Sequence, residues 1–228
     1  MKFFLFFIGS FYYCLYASDV LGVVEKIGGV VKVKHLHSIK KMRLKLHDSV
    51  EKGDIINTYK DGYVVLKLRD ASHVIVDKSS MIVFTSWNDF EQKGGKVFYK
   101  ITTRNATHSL KVKTSFAIIG IKGTTFIVNA SNPAVSLKEG LIGIGSIKKE
   151  FEIYKQSLED DFNAFVSAQR TAYEDFKKVQ KLNFIKKTKE FNLHKLKSVS
   201  FHKNKVIEKS LSKKENDEFK YFEKLMVF

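Results

Sequence analysis

The sequence predicts a mainly β domain, a solenoid or sandwich, followed by an α-helical C-terminal region. Three observations predict it. All 13 glycines and the single proline lie before residue 146, so the 83 residues from Ser146 to Phe228 contain neither. The glycine-bearing part is a series of short apolar runs, several alternating with lysine. The glycine-free part opens with apolar residues spaced four and three apart. Turn-rich β structure needs glycine and proline as punctuation, and long helices exclude them. These signals divide the chain into residues 1–17, 18–147 and 148–228.

The first element is Met1-Lys2 followed by an apolar run from Phe3 to Ala17. One cation and a short apolar stretch fit a secretory signal peptide. The run is short for a spanning helix, which needs about 20 residues. Leu15-Tyr16-Ala17 offers cleavage after Ala17, and an uncleaved anchor is the rival reading. Tyr12 and Tyr13 stand where a lipoprotein signal needs small residues before Cys14. The expected address is periplasmic or otherwise exported. Cleavage removes the only cysteine, which excludes disulfides, cysteine-based zinc modules and thiol catalysis.

The second element runs from about residue 18 to 147. Its short runs are Val20–Ile27, Val30–His35, Tyr63–Leu68, His73–Val76, Met81–Thr85, Lys96–Thr103, Ser109–Thr114, Thr124–Val128 and Ala134–Leu137. Val-Lys-Val-Lys at 31–34 and Leu-Lys-Val-Lys at 110–113 alternate strictly. A period of two puts aliphatic residues on one face and lysines on the other. About ten short strands at close spacing predict an all-β sandwich, barrel or solenoid.

Three segments within it go beyond composition. Gly53-Asp54-Ile55-Ile56-Asn57-Thr58 is a turn feeding a strand. Gly62 to Val76 reads as two strands around Asp70-Ala71-Ser72. Thr114, Ala117, Lys122, Gly123, Thr124 and Phe126 follow in order, with one extra residue between the alanine and the lysine. Together these resemble the FecR domain, the extracytoplasmic domain of iron-dicitrate-type signalling regulators. The resemblance spans about residues 20–147. It implies an all-β, solenoid-like domain without catalytic machinery. Only a signal-like segment precedes the domain here, so no anti-sigma region is expected. Physically the motif residues look architectural. Gly53, Gly62 and Gly123 suit positive φ or close approach at turns. Asp54, Asp70, Thr114 and Thr124 can bond the backbone where ladders end.

The third element carries Leu158, Phe162, Phe165, Gln169, Ala172, Phe176 and Val179 at alternating spacings of four and three. That is a heptad seam, expected to form a long helix from about 150 to 190. Leu158, Phe162, Phe165 and Phe176 are its candidate interface, for a protein partner or for self-association. Weaker helical pieces are expected beyond it. Ser212 with Glu215 marks a second helix start, followed by Phe219, Phe222, Leu225 and Met226.

Other chemistry finds little support. Gly120 to Thr125 has a glycine-lysine-threonine look, but strand formers follow it where a phosphate loop needs a helix. His35 and His37 would share a strand face, without a third metal ligand. No metal and no cofactor is expected. The formal charge is +16, and residues 18–150 hold 22 Lys and Arg against 12 Asp and Glu. Lys32, Lys34, Lys111 and Lys113 are candidates for contact with an anionic wall or membrane surface; export argues against nucleic acid. The expected function is a non-enzymatic, exported binding or scaffold component of the envelope. The alternative is a sensor or regulator of uptake acting through a separate membrane partner.

Overall fold

The computed structural model describes residues 20–102, 110–121, 123–155 and 186–227. These residues form two β-sheets and one C-terminal helix. In chain order, the larger sheet holds β1 (Val20–Gly28), β4 (Ser49–Glu51), β6 (Tyr63–Leu68), β7 (His73–Val76), β10 (Lys96–Lys100), β13 (Thr125–Asn129) and β14 (Ala134–Glu139). It continues with β16 (Phe151–Lys155), β17 (Lys186–Thr188), β19 (Lys197–His202) and β20 (Lys205–Ser210). The smaller sheet holds β2 (Val31–Lys34), β3 (Met42–Arg43), β5 (Ile55–Thr58), β8 (Met81–Ser86) and β9 (Asp89–Gly94). Its remaining strands are β11 (Leu110–Lys113), β12 (Ile118–Ile121), β15 (Leu141–Gly145) and β18 (Glu190–His194).

The chain crosses between the sheets every one or two strands and advances along both. Sheet order therefore nearly follows sequence order: β6, β7, β10, β13 and β14 in one, β5, β8, β9, β11, β12 and β15 in the other. The result is a sandwich in cross-section and a solenoid in its winding. Period-two runs make this possible, because alternate residues of each strand face the space between the sheets. Val31, Val33, Ile56, Ile82, Phe84, Phe90, Leu110 and Val112 fill it from the smaller sheet. Val64, Leu66, Val74, Val76, Val97, Tyr99 and Phe126 fill it from the larger. Tyr99 and Phe126 are register partners, and their rings stack at 4.7 Å. Burial pushes the Tyr99 phenol far above its usual pKa. Its hydroxyl donates to Gln92 Oε1 across the core at 3.1 Å, and the Gln92 amide donates to the carbonyls of Gly95 and Val128. A buried polar group without such partners would be costly.

The sheets run through the expected boundary at residue 147. β14 pairs with β19, and β15 pairs with β18. Residues 151–155 and 186–210, expected to be helical, are strands. The absence of glycine misleads there because other residues take its place. Leu196 and Lys203 adopt the left-handed backbone region, at φ 61° and 60°, in the turns around β19. Short alternation then supplies buried Leu193, Val199, Phe201 and Val206. The seam residues Leu158, Phe162, Phe165 and Phe176 lie outside the described residues, as does the segment before Val20.

The second helix start is realised as α1 (Lys213–Met226). Ser212 and Glu215 form a reciprocal capping box. The helix lies on the outer face of the larger sheet, over a row that register sets straight across four strands. Val65 pairs Ile75, Ile75 pairs Phe98, and Phe98 pairs Ile127. Phe219 and Phe222 complete this second apolar cluster, with Phe222 stacked on Phe98 at 5.4 Å. Strands β6, β7, β10 and β13 are thus buried on both faces, which explains their continuous apolar runs. Where the row continues to Ser136, it meets the polar start of the helix: the Ser136 hydroxyl donates to Glu215 Oε1 at 3.2 Å. Lys96 pairs with Glu218 and Lys138 with Glu223 along the flanks.

Candidate functional site

The motif residues resolve into four separate turn closures. In the first, Gly53 takes φ 87°, which an L side chain resists. Asp54, almost fully buried, accepts from the Glu51 backbone N–H at 2.9 Å and bonds His35 Nδ1 at 2.8 Å. At the far end of β5, the Thr58 hydroxyl accepts from the Ser80 N–H at 2.9 Å and donates to the Asp77 carbonyl. Those bonds tie β5 to the turn that leads into β8.

The second closure joins Asp70, Ser72 and Thr102. Ser72 donates to Asp70 through its N–H at 3.1 Å and its hydroxyl at 2.9 Å. The Thr102 N–H donates to the Ser72 hydroxyl, and the Thr102 hydroxyl donates to the Asp70 carbonyl. A buried serine thus holds the β6–β7 turn against the end of β10. In the third, the Thr114 hydroxyl accepts from the Ala117 N–H and donates to the Ala117 carbonyl, both at 2.9 Å. This closes the turn between β11 and β12.

The fourth closure holds Gly123 and Thr124. Gly123 takes φ 62°, and Thr124 exchanges backbone hydrogen bonds with Ile101. Gly140 packs against both; a Cβ there would sit 2.6 Å from the Gly123 oxygen and from Thr124 Cγ2. Phe126 lies in the core, and Lys122 lies outside the described residues. Across the first three closures the polar side chains of the motif are directed at the chain itself, whereas the buried Thr124 hydroxyl makes no hydrogen bond and only its backbone closes the fourth. The motif residues line no common cleft.

The four candidate lysines do share one surface. Lys32, Lys34, Lys111 and Lys113 alternate with buried residues on β2 and β11, so all four face outward from the smaller sheet. They do not form one patch. Strands β5, β8 and β9 separate the two pairs, and Lys113 is bound to Asp89 at 2.9 Å. Lys32 lies 5.4 Å from the centre of the Tyr59 ring. The His35–His37 pairing expected on a strand does not form, because β2 ends at Lys34 and His35 turns to Asp54. Among the described residues, no three His, Cys, Asp or Glu side chains gather as a metal site would need. No helix of the described residues is long and apolar enough to cross a membrane.

Sequence reasoning missed two groups. The Gln92–Tyr99 bridge has no local signature. The segment between β2 and β4 is a basic, leucine-bearing run whose exposed apolar side chains carry no periodic signal.

Residues 54–142 match the FecR protein family. The match covers the stretch from Asp54 to the start of β15, and it includes all the motif residues except Gly53. Among solved structures, two crystal structures of a candidate anti-sigma factor from Parabacteroides distasonis ATCC 8503 are similar. They show 13% and 14% identity, cover 68% of this chain and have TM-scores of 0.45 and 0.44. The chain spans 59% of the length of those structures. No curated protein matches.

Proposed function

We propose, from the premise that this chain carries a FecR domain at residues 54–142, that it is an exported regulatory protein acting through protein contacts and not by catalysis. The observation that carries this reading is the FecR match itself. It favours the regulator over the pure scaffold, since the family is one of signalling regulators. The use of the motif side chains supports it further. Asp54, Asp70 and Thr114 bond the backbone of their own turns, an arrangement that suits a rigid binding body better than a reaction centre.

The periplasmic or otherwise exported address belongs to the same proposal and rests on the signal-like segment ending at Ala17. The heptad seam is its assembly element: Phe165→Asp should shift the sedimentation profile or release a partner. In-cell crosslinking of the full chain, with fractionation, tests the whole reading. A crosslinked membrane or envelope protein in the exported fraction is the expected result. An intact chain in the cytosol, crosslinked to nothing, would sink it.

A further inference from the structure

Between Val31 and Leu46 the chain carries six cations, Lys32, Lys34, Lys40, Lys41, Arg43 and Lys45, and no Asp or Glu. Interleaved with them are four apolar side chains that face solvent. Leu36 is 53% exposed, Ile39 95%, Met42 52% and Leu46 49%. Scattered exposed aliphatics are ordinary on a protein surface. Four within eleven residues, three of them next to a Lys or Arg, form a basic and apolar rim.

The rim has a fixed shape. It follows β3, which among the described residues pairs only with β2 and forms the edge of the smaller sheet. Leu44 is buried beneath it, and its N–H donates to the Val31 carbonyl at 3.0 Å. The Ser38 hydroxyl donates to the Lys40 carbonyl, and the Lys45 N–H donates to Asp48. His35 is pinned by Asp54. Asp48 and Asp54, the acids bonded within this stretch, are therefore engaged by backbone N–H groups and by His35 and not by the cations. Among the described residues, Lys40, Lys41, Arg43 and Lys45 form no ion pair.

We infer that this rim is a docking surface for an anionic phospholipid bilayer. Its cations meet the lipid phosphates, and Leu36, Ile39, Met42 and Leu46 enter the interfacial layer. That is the chemistry of peripheral membrane segments, where buried apolar area and charge act together. A dissolved polyanion or a nucleic acid would use the cations alone. It would gain nothing from exposed aliphatics, and residues 31–46 contain no Phe, Tyr or Trp to stack on a base. Lys32 and Lys34 continue the positive rim onto the sheet, whereas Lys113 stands beside Asp89 and does not belong to it. This inference goes beyond the regulatory reading and does not rest on it.

The test is sedimentation of the full chain with vesicles of phosphatidylcholine, with and without 30 mol% phosphatidylglycerol. All variants share the same N-terminal segment, so differences report the rim. Each cation at an anionic surface is worth about fivefold in affinity. Lys40→Gln with Lys41→Gln should therefore weaken binding to the anionic vesicles about 25-fold. Lys111→Gln with Lys113→Gln should leave it unchanged. Ile39→Ser, at a side chain too exposed to affect packing, should also weaken it several-fold. Equal binding by every variant would overturn the inference. So would loss on charge removal with no effect of Ile39→Ser, which would mark a site for soluble polyanions. Failure here would leave in-cell crosslinking, and the regulatory reading it tests, untouched.

Discussion

Replacing Phe222 with alanine should release the C-terminal helix while the two sheets stay packed. The ring is fully buried against Phe98, and with Phe219 it covers the Val65, Ile75, Phe98 and Ile127 row. Burying a Phe side chain and truncating it to Ala typically differ by about 3–5 kcal/mol, including the cavity left behind. The stacked geometry adds up to about 1.5 kcal/mol within that range. The flanking ion pairs of Lys96 and Lys138 are part-exposed and contribute only about 0–1 kcal/mol each. An isolated helix of this length is marginal in water. Undocking and unfolding of α1 should therefore be one event. Hydrogen exchange is the assay. A loss of about 3 kcal/mol speeds exchange of the helix amides roughly 100-fold or more. Amides of the inner strands, such as Val74 and Tyr99, should keep most of their protection. If helix and strand amides accelerate together by one factor, the helix and the sheets are a single cooperative unit and the reasoning fails. Unchanged helix exchange would equally refute it, by showing that the ring does not hold the helix down.

Other expectations follow from the turns and caps. Ser212→Ala should cost the helix about 1 kcal/mol, read as a lower midpoint for its exchange or melting. Glu215 has a pH signature. Burial alone would raise its carboxyl, but hydrogen bonds from the Ser212 side chain and backbone and the charge of Lys209 outweigh that and hold it below the usual carboxylate range. A lowered folded-state pKa gives stability that is present above the ordinary glutamate range and lost as pH falls through the folded value. Helix protection should therefore weaken in acid, and Glu215→Gln should flatten that dependence. Thr114→Val removes a buried hydroxyl that bonds both backbone groups of Ala117; a cost of about 1–3 kcal/mol is expected in denaturant melts. Gly140→Ala should destabilise by more than about 1 kcal/mol, since φ is 90° and the new Cβ would meet Gly123 and Thr124 at 2.6 Å. Gly143→Ala, where the nearest atom is 3.8 Å away, should be tolerated.

The β half of this molecule was legible because its signals are local. Val-Lys-Val-Lys at 31–34 and Leu-Lys-Val-Lys at 110–113 state their period within four residues, and both are strands with the valines inside. The capping pair Ser212 and Glu215 was equally local. The strands after residue 147 were not. A missing glycine argues against a turn only if nothing else accepts φ > 0, and Leu196 and Lys203 accept it because β19 is held by β14 on one side and β20 on the other. That support comes from residues far along the chain, so it leaves no mark in the turn itself. The candidate site shows the same division. Asp70, Ser72 and Thr114 could be named as turn residues from their spacing. The partner of Ser72 is Thr102, thirty residues on, and no spacing reveals it. The outward alternation of Lys111 and Lys113 is local, but Asp89 comes beside them through the parallel pairing of β11 with β9, which no local pattern shows.

The order of the strands also defines what can be cut. The stretch from residue 54 to 142 is an interior slab of the winding, with β1 laid against β6 on one side and β19 against β14 on the other. Excised alone, it would present four raw backbone edges, on β6 and β14 of the larger sheet and on β5 and β15 of the smaller, stripped of β1, β19, β2 and β18. Such edges template pairing between copies. A fragment drawn to the limits of the family match should therefore aggregate or form fibres, and a soluble one must carry β1 to β4 at one end and β18 to β20 at the other. In this protein the segment that matches the family and the foldable unit are different lengths of chain.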